Sequence, residues 1–305
     1  MPRGLVVLGW MVLTGIVVTT TFSATDPDPG DGFTRSGDLL LEVEAPVLLL
    51  PEPDGGVLLG ERSTGRILRV DPDGSLVEEP VATVTVPSGG VGLLGLAFGA
   101  DDQLYASWID PDQRLVVGRL GGRSPRPIWR GPTMPSAPAG GHLARLPEGR
   151  LVVTVGQIGE LDEGEEPGGR LLSLDPEGGP EQEPRVLASG LTNPTAITVD
   201  DSGVMWVADD EAADTPQPLL GVSPEGDVAT VATLPDEVRA LALTLQGESL
   251  YACGSTGLLL RYRLEDLDGG AEGEPVATDC ALSVAPLEEG LLVYSSHASV
   301  RTIRP

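Results

Sequence analysis

Few side chains in this sequence can do chemistry. There are two histidines, His142 and His297, and one asparagine, Asn193. Imidazole is the side chain whose ordinary pKa lies nearest neutrality, so each histidine is a candidate proton acceptor. All 19 basic residues are arginines; lysine is absent. That excludes Schiff-base chemistry and a Walker-type phosphate lysine. Asp110, Asp209 and Asp210, with Asn193, are oxygen donors of the kind a calcium ion takes. The cysteines are Cys253 and Cys280. The sequence contains no His-Glu-x-x-His, Cys-x-x-Cys or Gly-x-Ser-x-Gly. The acidic run Glu160 to Glu166 could hold a divalent cation, but a solvated charge run is the plainer reading.

These residues must be positioned by the elements around them, and the elements repeat. An apolar alternating stretch, a turn with an acid or Pro plus Gly, and a second apolar alternating stretch recur six times. The copies are Val47 to Leu59, Leu94 to Ala106, His142 to Thr154, Ala196 to Val207, Ala240 to Ala252 and Ala281 to Val293. Their spacing, about 40 to 55 residues, is that of propeller blades. Further strand-turn signals lie between copies, as in Gly65 to Gly74 and Gly169 to Gly178. Each unit therefore reads as a four-stranded meander, and the chain as an all-β, six-bladed β-propeller over residues 39–305. The last copy leaves room for three strands, so a strand near Leu39–Val43 is expected to close the ring. A β-sandwich is the rival architecture.

In a propeller the first strand of each blade lines a central channel. Residues just before each first strand and just after each second strand then meet at one mouth. This groups Glu61, Arg62, Asp110, His142, Gln157, Asn193, Asp209, Asp210, Arg239 and His297. A polar pocket for a small molecule is expected there, although a wet rim also holds such residues. Cys253 ends a second strand and Cys280 precedes the next first strand, on the same face of neighbouring blades. In an exported chain that pair reads as a disulfide.

Several stretches resemble the soluble glucose/sorbosone dehydrogenase family: Leu58 to Gly74, Gly89 to Phe98, Gly140 to Gly156, Gly169 to Gly178, Ala188 to Asp200 and Met205 to Asp209. The resemblance spans residues 43 to 210. It implies a quinoprotein on a six-bladed propeller that oxidises a sugar or related alcohol with pyrroloquinoline quinone (PQQ) and calcium. The family's base histidine precedes the glycine pair of the third blade. Here Pro138 stands there and His142 follows Gly140 and Gly141. The resemblance thus implies His142 as a substitute catalytic base, and Asn193, Arg62, Arg239 and Gln157 as cofactor contacts. Asp110, Asp209 and Asp210 would be metal ligands. Two alternatives stay open: a catalytically degenerate propeller binding a ligand or protein, and a calcium-dependent lactonase-like hydrolase.

The balance of the chain agrees with an exported β-protein. Residues 1–24 run from Arg3 through an apolar stretch to small residues, the order of a secretory signal peptide or an uncleaved anchor. Residues 25–38 read as an acidic, Pro-rich linker. The expected location is periplasmic, secreted or cell-surface, with any membrane attachment through the N-terminal segment. The 41 glycines and 28 prolines suit many turns. With 46 acidic residues and a net charge of −27, the chain is no nucleic-acid binder, because a phosphate-contacting face must be cationic.

Overall fold

The computed structural model describes residues 37–39, 46–88, 92–121, 124–134, 140–158, 168–210, 215–267, 270–280, 282–287, 290–296 and 299–305. The N-terminal segment to residue 36, Pro138, the run Glu160 to Glu166 and His297 fall outside them. Among the described residues no helix is long and apolar enough to cross a membrane.

Among the described residues, twenty-four strands form six antiparallel four-stranded sheets. Blade 1 holds β2 (Pro46–Pro51), β3 (Val57–Glu61), β4 (Arg66–Val70) and β5 (Leu76–Thr83). Blade 2 holds β6 (Leu93–Phe98), β7 (Leu104–Ile109), β8 (Arg114–Arg119) and β9 (Arg126–Thr133). Blade 3 holds β10 (Gly140–Arg145), β11 (Leu151–Val155), β12 (Gly169–Leu174) and β13 (Arg185–Leu191). Blade 4 holds β14 (Pro194–Val199), β15 (Met205–Asp209), β16 (Pro218–Val222) and β17 (Val228–Thr233). Blade 5 holds β18 (Ala240–Gln246), β19 (Ser249–Gly254), β20 (Leu259–Arg263) and β21 (Glu274–Ala277). Blade 6 combines β22 (Val284–Pro286), β23 (Leu292–Ser295) and β24 (Val300–Ile303) with β1 (Gly37–Leu39). The six-bladed propeller expected from the repeats is the observed fold. The closing strand is described over Gly37–Leu39, and the rest of the expected stretch, 40–43, lies outside the described residues.

The core follows from the two-residue period of a strand, which sends alternate side chains to opposite faces. In β3, Val57 and Leu59 pack with Ala285 and Val293 of blade 6. Leu58, between them, packs with Leu93 and Leu96 of blade 2. In β11, Leu151 and Val153 join the blade 2 seam while Val152 joins the blade 4 seam. The apolar clusters thus lie one per seam around the ring. Hairpin turns between strands are built locally: the Asp200 carboxylate accepts N–H bonds from Ser202 (2.9 Å) and Val204 (3.0 Å), and Gly203 takes φ +88°. Aspartate supplies the acceptor and glycine the left-handed backbone.

Two devices secure the last blade. β1 pairs antiparallel with β24, Gly37 opposite Thr302 and Leu39 opposite Val300. Cys253 and Cys280 form a disulfide with Cα atoms 5.6 Å apart, and both are buried in the seam between blades 5 and 6. Deleting residues 37–39 leaves β24 an unpaired edge and removes a few backbone hydrogen bonds at about 1 kcal/mol each. Thermal unfolding followed by circular dichroism is expected to show Tm lowered by roughly 5–10 °C. An unchanged Tm would mean that the ring does not depend on this closure.

Candidate functional site

The first strands enclose two separate, adjoining cavities on the channel axis. The lower one, about 640 Å³, runs past β2, β6, β10, β14, β18 and β22 toward Pro53 and Asp102. The upper one, about 170 Å³, lies at the mouth where Arg62 and Gly140 stand. Leu48, Leu94, His142 and Leu241 border both, so they form the collar between the two.

Each blade places one residue at this level: Leu48, Leu94, His142, Thr195, Leu241 and Leu282. Their position has a local cause. The pairing of the first two strands shifts register between Leu93 and Gly95, Gly140 and Leu143, Pro194 and Ala196, and Ala240 and Ala242. Leu94, His142, Thr195 and Leu241 all sit in these bulges, which re-aim a side chain out of the ladder. Leu48 adjoins the corresponding bulge of blade 1, and Leu282 precedes β22. The ring is therefore four leucines, one threonine and one histidine.

His142 owes its place to the two glycines before it. Gly140 and Gly141 have φ +90° and +91°, conformations that residues with a Cβ rarely adopt. A Cβ on Gly141 would stand 2.3 Å from Leu94 Cδ1. The backbone is fixed from both sides: His142 N–H donates to Thr154 Oγ1 (3.0 Å), and the Ser107 hydroxyl donates to the Gly141 carbonyl. Burial pushes the imidazole pKa down to about 4, and the positive charge of Arg62 acts in the same direction. His142 is therefore neutral at pH 7. The Arg62 guanidinium is partly buried, and burial lowers its own pKa. No carboxylate or hydrogen-bond acceptor among the described residues engages it.

The other expected site residues are committed elsewhere. Asp110 accepts N–H bonds from Asp112 (3.0 Å) and Arg114 (2.9 Å) and pairs with Arg130 (3.1 Å). Asp209 accepts from the backbones of Thr192 (2.9 Å) and Asn193 (2.7 Å), tying β15 to the start of β14. Asp210 pairs with Arg239 Nε at 2.8 Å, and the same guanidinium donates to the carbonyls of Val238 (3.1 Å) and Thr215 (3.0 Å). Gln157 donates to the Ile158 carbonyl (3.4 Å) and accepts from Gly168 N–H. Glu61, fully buried, takes Arg66 through two bonds of 2.7 and 2.6 Å. Asn193 Oδ1 is buried without a partner, but Asn193 is not among the residues bordering the upper cavity. Of the ten, Asp209 contacts Asn193 and Asp210 contacts Arg239 within the scaffold, while Arg62 and His142 are the two that border the upper cavity. Among the described residues no three His, Cys, Asp or Glu side chains are grouped to hold a metal ion.

The leucines of the ring carry no chemical signature and were not singled out from sequence. Their signal was the start of each repeat copy, which falls on or beside each ring residue.

Solved structures that share this fold include sugar dehydrogenases and a putative gluconolactonase. The PQQ-bound aldose sugar dehydrogenase of Streptomyces coelicolor superposes with TM-score 0.71 at 22% identity, over 87% of this chain and 95% of that one. A putative oxidoreductase (glucose dehydrogenase) of Thermus thermophilus gives 0.72 at 23%, over 88% and 99%. A putative gluconolactonase shares the architecture at TM-score 0.61 and 17% identity, over 88% of this chain and 91% of that one. No protein-family model and no curated protein sequence matches the chain.

Two outcomes test this geometry. The unfolded chain takes up the imidazole proton near pH 6.5, the folded protein only near pH 4. Between these values the unfolded state binds more protons, so the His142 contribution is intact above pH 6.5 and is lost as pH falls toward 4. Urea unfolding from pH 7 to pH 4 is expected to show up to about 3 kcal/mol less loss in His142→Gln than in the parent protein. Parallel pH profiles would contradict a partly buried neutral imidazole. Gly141→Ala forces a Cβ into Leu94 at positive φ and is expected to cost on the order of 2–4 kcal/mol. A shift below about 0.5 kcal/mol in the same assay would show that the bulge is not needed.

Proposed function

We propose that this chain is an exported propeller that binds a small molecule at the upper cavity, and that it does not use quinone-dependent sugar oxidation. The observation that carries this reading is the state of the cations at the mouth. PQQ bears three carboxylates, and such a ligand needs several cationic partners. Of the two candidate arginines, Arg239 is held by Asp210 and two carbonyls, which leaves Arg62. A net charge of −27 adds a repelling field. The upper cavity, about 170 Å³, is also small against the usual range for cofactor sites, about 300–1,000 Å³. The residues present do not fit the quinone. Nor do Asp110, Asp209 and Asp210 fit a shared calcium site, since each carboxylate fastens backbone or an arginine.

Export is supported by the Cys253–Cys280 disulfide, a bond that persists in oxidising compartments. The order of basic, apolar and small residues over 1–24 agrees with it.

One observation favours the dehydrogenase reading. The neutral imidazole of His142 borders the cavity, and an unprotonated group is what proton abstraction from an alcohol requires. Reconstitution separates the two. The purified protein with PQQ and calcium is expected to show no dye reduction with a panel of aldoses and polyols, and no change in Tm. Dye reduction that disappears in His142→Gln would establish the dehydrogenase instead.

A further inference from the structure

We infer that the upper cavity is a monocarboxylate site, in which Arg62 takes the carboxylate and the leucine ring takes a short aliphatic body. The inference rests on the small-molecule reading above and names the ligand class. Three observations carry it.

The first is the guanidinium. Arg62 follows β3 at the mouth, borders the cavity and has no acidic partner among the described residues. The chain has 46 acidic residues, and Glu61, beside Arg62 in sequence, is spent on Arg66. A partly desolvated cation is costly unless something pairs with it. A carboxylate does so with two parallel N–H···O bonds, a geometry that a guanidinium presents ready-made.

The second is the composition of the walls. Leu48, Leu94, Leu241 and Leu282 line the same space. These surfaces reward an apolar group and offer nothing to the further oxygens of a phosphate or sulfate. Thr195 adds no hydrogen: its hydroxyl already donates to the Ala240 carbonyl (2.7 Å) and accepts from Gln217 (2.8 Å). One charge is thus recognised at one end and an aliphatic body at the other.

The third is size and charge balance. About 170 Å³ is the liquid volume of roughly five or six water molecules, so the body is short. His142 faces the same space as a neutral ring, so among the described residues bordering it the charge to be matched is that of Arg62. A neutral imidazole can still donate one N–H to the second carboxylate oxygen.

The test uses the purified full chain with acetate, butyrate, hexanoate and octanoate, the matched amides, and inorganic phosphate, followed by calorimetry and thermal shift. Affinity is expected to rise from acetate to butyrate or hexanoate and fall for octanoate, with the amides and phosphate at least tenfold weaker. Arg62→Gln, which breaks no side-chain hydrogen bond or ion pair of the fold, is expected to lose tenfold or more in carboxylate affinity at unchanged Tm. Leu241→Phe, which keeps the charge and narrows the space, is expected to abolish the chain-length optimum. Binding should also raise the titration midpoint of the His142 ring proton by NMR, because an anion favours imidazolium. Equal responses to phosphate and butyrate, or no effect of Arg62→Gln, would overturn the assignment. Binding of a neutral sugar without any carboxylate response would overturn it while leaving the small-molecule reading in place. Quinone-dependent dye reduction would remove that reading itself.

Discussion

Every part of this molecule depends on strand alternation applied to a closed ring. A strand in blade 1 cannot hide all its apolar side chains on one side, because successive residues point to opposite faces. Val57 and Leu59 need one neighbour and Leu58 needs another. A second sheet on one side would satisfy only half of them. A ring supplies a neighbour on both sides of every blade, and the apolar clusters lie in the seams between blades. At the outer rim of the last blade β1 covers β24, which would otherwise be the sheet's exposed edge.

The acidic residues at the mouth take their roles from the same scaffold. A second strand ends where the chain must turn away, and the orphan N–H groups of nearby turns need an acceptor. Asp110 and Asp209 supply it from just past or at the ends of β7 and β15, and Glu61 does similar service for Arg66 at the end of β3. Carboxylates that look like ligands in sequence are thus hydrogen-bond acceptors for backbone and arginine. Among the described residues the upper cavity is bordered by one guanidinium, one neutral imidazole and a set of leucines.

The repeat of apolar stretch, turn and apolar stretch made the ring legible, since period-2 patterning and Asp-Gly turns are local properties. The disulfide was legible too, because blade topology put Cys253 and Cys280 on one face. The site was less so. Sequence placed ten polar residues near one mouth, but whether a carboxylate is free depends on which N–H groups lie within hydrogen-bond reach, as at Asp209. That is a tertiary fact. The ring of Leu48, Leu94, Leu241 and Leu282 was hidden differently: leucine at a strand start reads as core, and the bulges that re-aim Leu94 and Leu241 are set by strand pairing. The Gly140–Gly141 pair was the nearest thing to a written signal, and it pointed at His142.

The pairing of β1 with β24 sets a temporal order on folding. The strand that completes blade 6 is synthesised before every other strand of the propeller, and its partner after them. Blades 1 to 5 each have all four strands in one continuous stretch and can form in succession as the chain emerges. Blade 6 can be finished only by joining the first and last strands of the propeller, and contacts of such large sequence separation are slow to make. Until then the inner faces of the first and last blades have no neighbour. The Cys253–Cys280 bond needs only blade 5 and the start of blade 6, so it can form before the ring shuts and hold the last seam in register while the ends meet.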